Sequence, residues 1–298
     1  MTVAKTKFEP LRFVCFLILS PILFEYSAWG QCDAIYTSFA MLAFLFALKK
    51  KSKLSFLFVG LSFAVKLQFL FVVPVLFVML IVKDEKGEHY LKWKDIWIAP
   101  LMYAVNLVPA FAGRNVLDLL LVYANQTGTD YGVSSNCANV LYFYTLLEDY
   151  LGVNVPWLET LLIALFVVIT ILVLVLILYV VFKRNKIKKL EQKDLVFFGV
   201  LFSFAMVFLM PKMLDRFYFI PMAMACVWFF VDKSFSSKIV PVLIHNALYF
   251  MMYLTYIDYI KGFISIAISV VAMVSAFVAA GMLIVYTKNK YLDEIKSE

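Results

Sequence analysis

The chain has 298 residues, of which 64% are hydrophobic and only 16% charged, with a formal net charge of +7 and a mean hydropathy of +0.91. A soluble domain is nearer half apolar and a quarter charged, so the composition excludes a soluble globular domain and predicts a polytopic membrane protein. The positive balance does not point to nucleic acid, because the basic residues sit in short loops between apolar runs.

In chain order, Lys5, Lys7 and Arg12 precede an apolar run over 13–24, the layout of a signal peptide's charged and hydrophobic regions. Tyr26-Ser27-Ala28 is a poor small-residue cleavage site, so an uncleaved first helix is expected. WGQCD follows at positions 29–33, then a helix over 34–48 that ends in a lysine cluster at 49–53. The next apolar run, 54–82, carries Lys66, Gln68 and Pro74 inside it. It is too long for one span of roughly 20 residues, and lysine-rich loops flank it on both sides. A hairpin of two short helices with its tip at Lys66-Leu67-Gln68 puts both loops on one side. A single tilted span is the alternative.

A span over 96–112 leads to the long polar stretch 113–156, read as an extracytoplasmic loop with an amphipathic segment at 116–125. Spans then follow over 157–182, 195–210, 217–231, 239–257 and 263–286. The fold class read from this pattern is all-α: a polytopic helical bundle of about ten transmembrane helices, two of them a short hairpin. It forms a single transmembrane domain over 1–298, with both termini cytoplasmic. Cytoplasmic loops carry an excess of Lys and Arg, and this layout places 22 of the 27 there. Arg114, Lys212, Arg216 and Lys261 fall outside, and Lys66 lies within the membrane.

Four polar sites distant in sequence then converge on the outer rim: WGQCD, the Lys66/Gln68 tip, the 113–156 loop and PKMLDRFYFIP at 211–221. A charge deep in a membrane helix costs about 2.5–3.5 kcal/mol on insertion scales. Lys66 therefore either snorkels to the surface or serves as a cation for a phosphate or carboxylate. In PKMLDRFYFIP, two prolines stop the flanking helices and leave Lys212, Asp215 and Arg216 at the boundary. They form either an interfacial belt of basic and aromatic anchors or a grip in which Arg216 takes a phosphate or carboxylate. Asp33 reads as a helix N-cap or as a partner for hydroxyls together with Gln31, beside Trp29 as a stacking surface. Asn136 and Asn139 in SSNCANVLYFY read as turn residues or as sugar-hydroxyl ligands. Asn125-Gln126-Thr127 is a formal glycosylation sequon. Cys15, Cys32, Cys137 and Cys226 show no metal-ligand spacing. Cys32 and Cys137 both face outward and either pair or stay free thiols. His89 and His245 are too few and too far apart for a histidine metal site, so neither metal nor cofactor is expected.

WGQCDAIY followed by the KLQ-then-proline pattern resembles the polytopic GT-C glycosyltransferases, in particular the bacterial polyprenol-phosphate-hexose branch and GPI mannosyltransferase I. SSNCANVLY resembles that family's asparagine-rich loop motif. MLDRFYFIP resembles its MHERY-to-proline motif, with Leu214 and Asp215 where the family has histidine and glutamate, and Phe217 where it has tyrosine. The resemblance runs in the family's order from Trp29 to Pro221. It implies transfer of a hexose, mannose or glucose, from a polyprenyl-phosphate donor to a glycan or lipid-linked acceptor on the extracytoplasmic face of a plasma membrane, expected to be bacterial.

Under the resemblance, Lys66, Arg216 and Lys212 bind the donor phosphate. Trp29, Gln31, Gln68, Asn136, Asn139 and Asp215 meet sugar or acceptor, and Asp33 is the remaining candidate for a catalytic base. The family's acid in an early outer loop has no counterpart here, since one helix precedes Trp29. The chain therefore reads as a fragment, half of a split enzyme or a degenerate relative, expected to bind donor better than it turns it over. A partner membrane protein would supply the missing helices. A reading from another class is a transporter or lipid-carrier-binding subunit without chemistry.

Overall fold

The computed structural model describes residues 32–109, 132–152, 155–256 and 263–296. The first expected helix, Trp29, Gln31, Cys15, the 116–125 segment and the 125–127 sequon lie outside the described residues. Every regular element described is helical, joined by two isolated β-bridges, Lys83 with His89 and Ser135 with Leu214.

Helix α1 spans Asp33–Leu48 and turns through Lys50, at a left-handed φ of 56°, into α2, Ser52–Val65. The backbone then breaks at Lys66, which is extended (φ −159°, ψ 141°). A 3-10 stretch, Leu67–Phe71, leads into α3, Val73–Ile81. Pro74 sits in the first turn of α3, where a missing N–H removes no intrahelical bond.

The two ends of this segment come back together. The Lys50 ammonium pairs with Asp84 and, at 2.6 Å, with Glu88, and the Lys92 N–H donates to Ser52 Oγ at 3.0 Å. Both lysine-rich loops therefore share one end of the bundle, and the chain between them enters and returns with its break at Lys66. More of the lysine-bearing segments meet at this same end. Gln192 donates to the Leu48 carbonyl (3.2 Å), Lys290 pairs with Asp194 (2.9 Å) and Arg184 with Glu294 (2.8 Å).

After α4, Ile98–Leu107, the next described helix is α5, Tyr142–Leu151, closed by Gly152 in the left-handed region. The stretch read as an outer loop over 113–156 thus contains a helix of its own. Then come α6, Pro156–Ile187; α7, Gln192–Leu209; a 3-10 turn, Asp215–Tyr218; α8, Phe219–Val231; α9, Phe235–Tyr256; and α10, Phe263–Thr287. A π-helical turn, Lys288–Leu292, and α11, Asp293–Lys296, end the described chain.

Among the described residues, three helical runs are long and apolar enough to cross a membrane: Pro156–Ile187, Gln192–Leu209 and Ser265–Ile295. They mark the chain as a membrane protein. The expected ten spans, two of them a short hairpin, are not confirmed among the described residues. Helices α1 (16 residues), α2 (14), α3 (9) and α4 (10) all fall below the roughly 20 residues that a hydrocarbon core requires.

Helix α7 is the hub. It is buried almost all round from Asp194 to Phe208, as a helix apolar on every face must be. Phe197 packs against Trp228 of α8 (ring centroids 5.2 Å) and Tyr286 of α10 (4.6 Å). Helix α6 is the opposite case. Trp157, Leu161, Leu165, Val168, Leu172 and Leu176 are all exposed, so its outer face is free to meet hydrocarbon.

Helices α1 and α2 are joined by Ser62 Oγ donating to the Tyr36 carbonyl (2.7 Å) and Ser55 Oγ to the Ala43 carbonyl (2.8 Å). Such interhelical bonds contribute on average about 0.6 kcal/mol each in a membrane. On its other side α2 touches α4 at Gly60, where an added Cβ would lie 2.4 Å from the Ala99 carbonyl oxygen. These contacts fix the direction in which α2 delivers Lys66.

Candidate functional site

The break at Lys66 turns that side chain toward the first turn of α1. Its ammonium lies 2.6 Å from Asp33 Oδ1. Asp33 is fully buried and the Lys66 side chain is 18% exposed. Lys66 therefore points inward to a carboxylate, and snorkelling does not describe it. The N-cap reading of Asp33 also gives way. Cys32 occupies the cap, no side chain caps the helix, and Asp33 is the first helical residue. The positive end of the helix favours a carboxylate there.

The third member arrives from the opposite half of the chain. Arg216, in the 3-10 turn Asp215–Tyr218, places Nε 3.9 Å from Asp33 Oδ2. One buried carboxylate thus stands between two cations. Asp33 Oδ2, Arg216 Nε and Gln68 Oε1 are buried and have no hydrogen-bond partner among the described residues. Gln68 lies two residues beyond Lys66. Buried polar atoms are ordinarily paired, so three unpaired ones on these converging segments mark a place that a polar ligand can complete.

Aromatic faces line the Lys66 ammonium. The Lys66 ammonium is 5.4 Å from the Tyr36 ring centroid and 5.9 Å from that of Phe217, and Phe71 meets Phe217 edge-on at 5.9 Å. Tyr36 was not singled out from the sequence. Its signal is positional, since it stands three residues after Asp33 on one helix face. Phe217, noted in the sequence only as a departure from the family's tyrosine, supplies the second face.

The Arg216 turn is held by a stitched pair of loops. Ser135 N–H donates to the Met213 carbonyl (3.0 Å), Lys212 N–H to Val133 (2.8 Å), Val140 N–H to Phe208 (3.1 Å) and Tyr218 OH to Ala138 (2.8 Å). Asn139 belongs to this stitching. It is fully buried, its Nδ2 donates to the Met210 carbonyl at 3.2 Å, and its Oδ1 accepts from Leu141 N–H at 3.1 Å. Both ends of its amide serve backbone. Asn136 takes a left-handed φ of 49°, a conformation asparagine tolerates better than most residues.

Asp215 is buried and accepts the N–H of Arg216 at 2.7 Å through Oδ1. It sets the turn's backbone beside the cluster. Lys212 has a φ of 58° and ties in through its backbone, and its ammonium makes no ion pair among the described residues. Trp29 and Gln31 lie outside the described residues, so of the expected set the geometry brings together Asp33, Lys66 and Arg216, with Gln68 and Asp215 close to Lys66 and Arg216 in sequence. Cys32, Cys137 and Cys226 are free thiols. Among the described residues no three His, Cys, Asp or Glu side chains gather as metal ligands.

No family model, curated protein or solved structure matches this chain.

Proposed function

We propose that the Asp33–Lys66–Arg216 cluster binds the phosphate of a polyprenyl-phosphate-hexose and that the chain takes part in transferring its hexose to a glycan or lipid-linked acceptor. The observation carrying this reading is the convergence of Lys66 and Arg216, at 2.6 and 3.9 Å, on one fully buried carboxylate. Lys66 and Arg216 together offer charged N–H donors to a ligand anion. Charge-assisted bonds from Arg and Lys to phosphate are the strong kind, and the low-dielectric surroundings strengthen them further.

In transfer, an acceptor hydroxyl attacks the anomeric carbon, and the bond from that carbon to the phosphate oxygen breaks. The electron pair leaves on the lipid phosphate, where Lys66 and Arg216 stabilise the developing charge. The hydroxyl proton needs a base. In this reading the base is Asp33, whose Oδ1 is taken by Lys66 and whose Oδ2, 3.9 Å from Arg216 Nε, has no hydrogen-bond partner among the described residues. Gln68 Oε1, which has no hydrogen-bond partner among the described residues, would accept from a sugar hydroxyl. By the same reading the acceptor is a membrane-side glycan or lipid, and a partner membrane protein completes the site.

The full burial of Asp33 favours a second reading, a lipid-carrier-binding subunit in which this acid only holds the two cations. The deciding experiment gives the purified chain a panel of polyprenyl-phosphate-hexoses and measures both binding and hexose transfer. Transfer that disappears in Asp33→Asn supports the enzyme. Binding without transfer leaves the carrier-binding subunit, and absence of binding overturns both.

A further inference from the structure

The three helical runs long and apolar enough to cross a membrane enclose a groove that none of Asp33, Lys66 and Arg216 lines. Its volume is about 530 Å³, and α6, α7 and α10 with the π-helical turn form its walls. Leu176, Val180, Phe204, Phe208 and Ile284 give it an apolar lining, and Lys288 stands at one end. Leu176 and Ile284 are 60% and 66% exposed, so the groove opens sideways onto the surface that faces hydrocarbon.

We propose that this groove binds one acyl chain of a bilayer phospholipid, with the headgroup phosphate on Lys288.

Three observations select that occupant. The first is chemistry. Water has no hydrogen-bond partners along such a wall, whereas an acyl chain gains dispersion contacts along all of it. The second is size. Along α10 and the turn after it the groove runs from Ala280 to Leu292, about 18 Å at helical rise. That matches one leaflet of a hydrocarbon core about 30 Å thick.

The third observation is charge. Lys288 is exposed and makes no ion pair among the described residues, whereas its neighbours are spent: Lys290 on Asp194 (2.9 Å) and Arg184 on Glu294 (2.8 Å). A free ammonium at the end of an apolar slot meets a phosphate that sits at the end of an apolar chain. The same end of the bundle carries Lys183 and Lys186, both exposed, and juxtamembrane lysines attract anionic headgroups.

The test uses the full chain reconstituted in phosphatidylcholine bilayers containing phosphatidylglycerol, extracted gently and weighed by native mass spectrometry. One phosphatidylglycerol retained per chain is expected. Lys288→Met should weaken its retention about fivefold, the contribution of one lysine near a membrane surface, without touching any packed residue. Ala280→Trp should fill the slot and abolish retention, while the variant still extracts as a folded monomer. A photoreactive side chain at Ile284 should tag lipid. Retention unchanged in both variants, or a tag on a second protein chain, overturns the proposal.

Discussion

Lys66 and Asp33, thirty-three positions apart, meet at 2.6 Å with the carboxylate fully buried. Each explains the other: neither charge is tolerable alone in an apolar bundle, and together they hold the return of the 54–82 segment against the first turn of α1. Removing one partner of a buried pair leaves an uncompensated charge, at a cost of about 3–5 kcal/mol. Lys66→Met should therefore destabilise the protein by about that amount, and Lys66→Met with Asp33→Asn should recover most of it. Thermal unfolding in detergent of the two single variants and the double variant closes the cycle. Additive losses would show that the pair does not interact.

Arg216→Lys keeps the charge but loses the planar fork and the Nε–H that faces Asp33 Oδ2. Hydrogen bonds to charged groups contribute about 1.5–3 kcal/mol, so affinity for a polyprenyl-phosphate-sugar should fall roughly 10- to 100-fold. Equilibrium binding with the purified protein measures it. Wild-type affinity in both Arg216→Lys and Arg216→Met would reduce Arg216 to an interfacial anchor.

The Lys50 clasp makes the topology testable. Lys53 and Gly87 are exposed near the two ends of the re-entrant segment, whereas Ser52 is buried and bonded to Lys92. In a background without native cysteines, Lys53→Cys and Gly87→Cys should react with an impermeant thiol reagent from the same side of the membrane. Reaction of the two from opposite sides would mean that the 54–82 segment crosses once.

The same clasp should respond to acid. The hydrogen bond from Lys50 holds the Asp84 carboxyl below its usual range, and the bond to Asp84, then that to Glu88, pushes the Lys50 ammonium up. A depressed carboxylate stabilises the fold above its unfolded value, about pH 4, and that contribution is lost as the pH falls through the lowered value. A raised lysine contributes below about pH 10.4 and loses its share only above the raised value. The clasp should therefore stay closed from about pH 4 to pH 10 and open in acid. Hydrogen exchange at the Leu91 N–H, bonded to the Met79 carbonyl at 3.1 Å, reports the opening. Lys50→Met should remove the acid step. A step that persists in that variant would assign it to other groups.

Gly60 sits where α2 and α4 touch, and a Cβ there would approach the Ala99 carbonyl to 2.4 Å and Met102 Cβ to 2.7 Å. Both are too rigid to yield cheaply. Gly60→Ala should cost about 1–3 kcal/mol through overpacking, and Gly60→Val more, read as lower melting temperatures in detergent. An unchanged melting temperature in Gly60→Val would show that α4 is free to shift away.

Composition and local pattern determined a good deal by themselves. An excess of apolar residues with charges confined to short loops specifies a helical membrane protein, because only helices and closed barrels satisfy their backbone in hydrocarbon. A 29-residue run bearing Lys66, Gln68 and Pro74 between two lysine clusters favours a break and a return over a single tilted span, because it is long for one span and both clusters prefer one side. What only the tertiary structure decided are the partners. Asp33 had several ways to use its carboxylate, and the chain's return at Lys66 selected one. Asn139 was open between turn and ligand until the Met210 carbonyl came within 3.2 Å. Tyr36 and Phe217 became the walls of a cation site only once α1 and the Arg216 turn lay side by side. The number of spans is not legible in the sequence for a related reason. Length along an apolar run is local, but whether a short helix crosses, dips or packs inside is set by neighbours that meet it across long stretches of sequence, and hydropathy carries no record of them.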